Sequence, residues 1–160
     1  MKPYTLAVIV TALVFSIAFS NAELSGAIKD VTMRATIIAL PNVEATQFSA
    51  SHDFNAKPSE ALNMLEKLVG QSQATSIANL ALTSRSGVRA TSESGKTTLD
   101  FEPVVSPDGK TADITVVIND NGNKIVTNVQ VSNGDAKFLG SIQSPTDKAM
   151  TEYIFIRISF

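Results

Sequence analysis

Leu99-Asp-Phe-Glu-Pro-Val-Val-Ser-Pro-Asp-Gly-Lys-Thr-Ala-Asp-Ile-Thr-Val116 is the stretch that decides the fold. At its centre Ser106-Pro107-Asp108-Gly109 is a turn sequence. Proline presets φ, and glycine accepts the positive φ that closes the loop. On the far side Ile114, Val116 and Ile118 recur at period two, while Asp113 and Thr115 point the other way. That alternation is the signature of a half-buried strand. The stretch therefore predicts a hairpin of residues 98–105 and 112–119. Pro103 has no N–H to give a neighbour, so its strand is expected to lie at an edge or to bend there.

Working toward the C-terminus, Asn119-Asp120-Asn121-Gly122-Asn123 predicts another turn, and residues 125–131 another strand. Asn133-Gly134 turns the chain into a short strand at 136–139. Residues 140–148 read as a loop broken by Pro145. A last strand follows, in which Ile154, Ile156, Ile158 and Phe160 alternate with Tyr153, Phe155, Arg157 and Ser159. Working toward the N-terminus, residues 77–83 and 88–92 read as strands around Ser84-Arg85-Ser86-Gly87.

Before them comes one amphipathic helix, 58–69. Pro58 suits a first helical position, and Glu60 suits the positive end of the helix dipole. Leu62, Leu65, Leu68 and Val69 recur at helical spacing, and Gly70 can take the left-handed conformation that ends the helix. Residues 42–56 are polar and predict a loop. In residues 31–40, Val31, Met33, Ala35, Ile37 and Ala39 fall on one side of a strand that Pro41 stops. The whole is an α+β pattern: antiparallel strands packed with one helix.

The first 22 residues read as an address rather than structure. Lys2 supplies a positive start, residues 6–19 are almost wholly apolar, and Ser20-Asn21-Ala22 suits signal peptidase. The apolar run falls short of the roughly 20 residues of a membrane-spanning helix. The expected mature protein is a single β-rich domain, residues 23–160. The full sequence, with 44% hydrophobic and 18% charged residues, is of a core-forming composition. A net charge of −2 gives no electrostatic reason to expect nucleic-acid binding. Cysteine is absent and His52 is the only histidine, which excludes disulfides, thiolate chemistry and two-histidine metal sites within one chain.

Four groupings invite a chemical reading. Ala90-Thr-Ser-Glu-Ser-Gly95-Lys96-Thr97 fits a relaxed phosphate-loop pattern, but Thr98 to Pro103 is β-prone where such a loop must open a helix. It is expected to be a turn between strands. Ser51-His52-Asp53 holds the three residue types of a hydrolytic triad side by side, whereas working triads meet from separate segments. Asp108, Asp113, Asp120 and Asp135 lie at or near turns and raise a calcium reading, without the regular ligand spacing of a calcium loop. Glu93, Asp100 and Glu102 could pair as the acid and base of a glycosidase, yet Trp is absent and aromatics are few. The terminal Phe160 also suits the closing strand of an outer-membrane barrel, but the other strands are too short for such a wall.

In order and spacing the chain resembles the core domain of the secretin family, the ring-forming outer-membrane channels of type II and type III secretion. Val31-Thr-Met-Arg-Ala-Thr-Ile-Ile-Ala-Leu40 looks like the family's opening strand, and Leu62-Asn-Met-Leu-Glu-Lys-Leu68 like its helix. Residues 76–90 resemble the strand pair that follows, and residues 99–116 the long hairpin. Residues 127–140 resemble the segment ending in a Gly-Gly step, here Gly140-Ser141. Glu152 to Ser159 is similar to the closing strand.

Where the family inserts its gate and membrane hairpins, Glu93-Ser94-Gly95-Lys96 joins the strands directly, so the resemblance is to a minimal form. It implies a non-enzymatic envelope protein, exported to the periplasm or outer membrane. Such a protein would work through protein partners or self-association and would enter no membrane by a helix. A periplasmic module binding a ligand or ion through the turn carboxylates is the alternative, and a periplasmic hydrolase comes third. No residue is assigned a catalytic, cofactor-binding or metal-binding role, and no cofactor is expected.

Overall fold

The Ser106–Gly109 turn and its two strands form as predicted, and they sit in the middle of one of two sheets. A computed structural model of the protein describes residues 29–160. The predicted signal segment lies outside the described residues. In chain order the elements are β1 (Asp30–Pro41), α1 (Asn42–Ser51), α2 (Pro58–Gly70), β2 (Thr75–Arg85), β3 (Ala90–Ser94), β4 (Thr97–Val105), β5 (Thr111–Asp120), β6 (Asn123–Ser132), β7 (Ala136–Gln143) and β8 (Met150–Ser159). All ladders are antiparallel. One sheet has the order β2-β1-β8-β7 and the other β3-β4-β5-β6.

Each hairpin of the second sheet follows its local turn chemistry. Gly95 (φ +61°) stands first in the two-residue loop between Ser94 and Thr97, the position where a type II′ turn demands positive φ. Asn121 and Gly122 both take positive φ, as a type I′ turn requires, and Asp120 pairs with Asn123 across them. Between β4 and β5, the Asp108 carboxylate accepts the Ser106 hydroxyl at 2.6 Å and the Lys110 N–H at 3.0 Å. Those two donors, the hydroxyl foremost, hold the Asp108 carboxyl below its ordinary range.

The two sheets face each other across one core. Val31, Met33, Ala35 and Ile37 of β1 and Ile154, Ile156 and Ile158 of β8 meet Leu99 and Phe101 of β4 and the Ala112, Ile114, Val116, Ile118 row of β5. A second core lies on the other face of the first sheet. There Ile38, Leu40, Tyr153 and Phe155 pack against Ala45 and Phe48 of α1 and Ala61, Leu62 and Leu65 of α2. The architecture is thus helices, sheet, sheet. β1 and β8 are buried on both faces in their middle portions, where one buried face was expected. The continuous apolar runs Ile37-Ile-Ala-Leu40 and Tyr153-Ile-Phe-Ile156 are what such central strands require.

Two expectations need correction. Residues 42–51 form a helix rather than the start of a loop, so the fold has two helices among the described residues, not one. Only Ala45 and Phe48 of α1 are buried, too few to make an apolar stripe. Phe48 stacks on His52 and meets Tyr153 edge-on, and those contacts hold the helix down. Residues 140–143 continue β7 rather than opening a loop; Gly140 (φ +149°) sits at a bulge against β8. Pro103 lies in β4, an inner strand, but β3 ends at the Ala90–Phe101 pair and leaves that flank unladdered. The Pro103 carbonyl accepts the Gly87 N–H there instead, so the proline occupies a local edge.

Candidate functional site

Ser51, His52 and Asp53 stay neighbours without becoming a triad. The Ser51 hydroxyl lies 3.0 Å from the carbonyls of Gln47 and Phe48, its helix's own acceptors, and 2.9 Å from His52 Nδ1. Asp53 does not orient the imidazole. Its Oδ1 accepts the N–H groups of Asn55 and Ala56 and builds the turn into α2. The arrangement suits helix termination and leaves the serine without an oriented base.

The relaxed phosphate loop is the β3–β4 hairpin, as expected, and β4 follows it where a phosphate site needs a helix. The turn carboxylates are dispersed. Asp108 and Asp135 lie in turns at one end of the second sheet, where the Asn133 N–H reaches the Lys110 carbonyl. Asp113 accepts a hydrogen bond from Gln130 on the outer face, and Asp120 closes β5 at the opposite end. Among the described residues no three acidic or histidine side chains gather to hold a metal.

Glu93, Asp100 and Glu102 do share a surface. Leu99 and Phe101 point inward, so Asp100 and Glu102 point outward, and Glu93, opposite Thr98, does the same. Asp100 is engaged: Arg89 clasps it with two donors, Nε to Oδ1 at 2.7 Å and Nη2 to Oδ2. The Arg89 hydrogen bonds hold the Asp100 carboxyl below its ordinary value. A group whose folded value is lowered lends stability above its unfolded value, and that stability is lost as pH falls through the folded value. Asp100→Asn is therefore expected to flatten the acid limb of a stability–pH curve and to lower neutral stability by the same amount, a small one because Arg89 is largely exposed. An unaltered acid limb in urea titrations would show that the pair is idle.

Beside Asp100, Glu102 and Asp113 flank a shallow groove of about 250 Å³ with Val104, Thr115, Asn128 and Gln130. Asp113 joins this acidic face only through the β4–β5 register, so no local motif could have grouped it with Glu102. The groove follows the outer pleats of three strands and encloses nothing.

What the architecture leaves available is backbone. β2, β7, β3 and β6 are the edge strands of the two sheets. Native edges are commonly defended by shortness, bulges, charge or proline. β3 has five residues, the β1–β2 ladder shifts register at Ile37/Ile38, and β7 carries the Gly140 bulge. β6 pairs with β5 over ten residues in unbroken register, contains one charge, Lys124, and presents Val126 at 62% exposure.

No protein-family model matches the chain, and no curated protein matches it. A solved structure does: the InvG secretin domain β-barrel from the Salmonella SPI-1 injectisome NC-base, with a TM-score of 0.50 at 10% identity. The fold is secretin-like. The match covers 82% of this chain and 63% of the solved chain, so the present chain spans less than two thirds of that structure's length. At such identity the likeness is one of backbone course.

Proposed function

We propose that this chain is an exported, non-enzymatic envelope protein that acts through protein–protein contacts, with itself or with a larger secretin-like partner, in the service of protein secretion. The secretin-like fold carries this reading, and the undefended β6 edge gives it a physical means. An edge strand in open register offers main-chain donors and acceptors to an incoming strand, which supplies affinity with little demand on side chains. Residues 23–160 would be the working domain, delivered by the segment before them, and association with the outer membrane would not use a helix. Among the described residues no helix is long and apolar enough to cross a membrane.

The test is the mass of the purified protein by light scattering, with and without mild detergent. A large, discrete oligomer is expected, and Val126→Lys on β6 is expected to break it while leaving the monomer folded, since a charge on an exposed edge opposes pairing. A monomer in both conditions would overturn self-assembly. An oligomer indifferent to Val126→Lys would move the contact to another edge.

A further inference from the structure

The six buried polar or charged residues among those described are Thr36, Ser84, Thr97, Asp120, Ser144 and Glu152. Four of them gather at one end of the layer between the sheets. Glu152 has the parity of Ile154, Ile156 and Ile158 on β8 and so faces the second sheet; it is 0% exposed. Asp120 has the parity of Ile114, Val116 and Ile118 on β5 and faces the first sheet; it is 1% exposed. Thr97 donates its hydroxyl to Asp120 Oδ1, and Asn121 donates to Oδ2 at 3.2 Å.

The two carboxyl groups are therefore served unequally. Both oxygens of Asp120 accept hydrogen bonds. Neither oxygen of Glu152 has a hydrogen-bond partner. Burial, with the Asp120 charge adding to it, pushes the Glu152 carboxyl up, and the nearby Ser144 hydroxyl offsets this only in part. Around Glu152, β1 offers Ala39 and β7 offers Ile142 as ladder neighbours; β4 offers Thr97 and β5 offers Asp120. The loop before β8 contributes Ser144, while its Asp147 accepts the Ala149 N–H. Lys124 and Lys148 line the groove outside this end of the sandwich. Asp120 is thus the charged group that acts on Glu152, and it acts as a like charge.

We infer that Asp120 and Glu152 bind one proton between them and form a latch across the two sheets, closed while the proton is held and forced apart when it leaves. In the closed state Glu152 holds the proton, because its two oxygens have no donor to serve them while both Asp120 oxygens do. On opening, that proton goes to solvent, no other bond changes, and two buried carboxylates face each other without a cation. A calcium ion would ask for about 6–8 oxygens. A proton asks for two carboxyl groups unequally served by donors, which this pair is.

The sign of the pH effect follows from the raised value. A carboxyl whose folded value lies above its unfolded one leaves the protein most stable below the unfolded value, and that advantage is lost as pH rises through the folded value. Unfolding of the full chain by urea, measured from pH 5 to pH 8 (a chosen range on the order of the carboxyl-to-neutral window), reads this directly. The wild-type unfolding constant is expected to rise with pH by up to about tenfold per unit, the limit for one proton. Glu152→Gln keeps the volume and a donor but cannot ionise; it is expected to be flat across the range and more stable than wild type at its upper end. Wild type and Glu152→Gln running parallel would overturn the latch. So would calcium chloride raising the midpoint of wild type but not of Glu152→Gln, since the pair would then serve a metal ion. Carboxyl carbon-13 NMR of the wild type gives the same reading without a substitution. Glu152 is expected to titrate above the usual glutamate range, and titration within that range would overturn the proposal.

Discussion

Replacing Phe101 by alanine is expected to lower the free energy of unfolding by about 3–5 kcal/mol. The ring is 0% exposed, stands on β4 between the Ala90 and Val116 partners, and fills the layer where the two sheets meet. Its loss removes the transfer energy of a large apolar side chain and leaves a void that two sheets of fixed spacing cannot close. Domains are stable by about 5–15 kcal/mol, so this one change takes a large share of the margin. The control is the next residue. Glu102 points outward, and Glu102→Ala is expected to change stability by no more than about 0.5 kcal/mol. Urea unfolding of the two variants tests the register of the central hairpin, since a slip of one residue would exchange their effects.

Tyr153→Ala is expected to cost a similar amount, about 3–5 kcal/mol, but through the other core. The side chain is 1% exposed and packs with Phe48, Phe54 and Phe138. Its hydroxyl lies 2.8 Å from the Ala45 carbonyl and 2.7 Å from Ser49 Oγ, so one phenol fastens α1 to the sheet at two points. Tyr153→Phe keeps the ring and removes only those bonds. Its expected cost is about 1–2 kcal/mol, the usual worth of a buried hydrogen bond whose partners lose their mate. Amide exchange localises the effect. In Tyr153→Phe protection should fall in α1 and hold in β4 and β5, whereas uniform loss would mean that α1 is no separate unit.

How far each element could be read beforehand follows from where its stabilising contacts lie. The β4–β5 hairpin, the turns at Gly95 and Asn121-Gly122, and α2 are all specified by residues within a few positions of each other. Local pattern was therefore enough for them. α1 is held by Tyr153, more than a hundred residues away, and of its apolar residues Val43, Ala45, Phe48 and Ala50 only Ala45 and Phe48 are buried. The same holds for the extension of β7 past Gly140. A bulge is a relation between two strands, and glycine alone reads equally well as a loop. Glu152 begins the last strand and drew no functional reading from the sequence. Only the register that carries Ile154 and Ile156 into the core carries Glu152 in with them. Ser51-His52-Asp53 shows the converse, since adjacency in sequence drew attention to groups that serve a helix end.

The first sheet has β1 and β8 as its central pair, with Thr32 opposite Ser159. Its middle ladder thus joins the two ends of the described chain, whereas β3 to β6 form a meander closed by short turns. Loop closure must be met before a distant ladder returns any energy, so contacts of this separation slow folding, and the meander has the kinetic advantage. During synthesis β2 emerges in time to pair with one side of β1, and β3–β6 emerge complete, while the other side of β1, along Ile37-Ile-Ala-Leu40, waits for β8. Until β8 arrives that side is an open template for any other extended chain, and the order of emergence makes it the segment most in need of a chaperone.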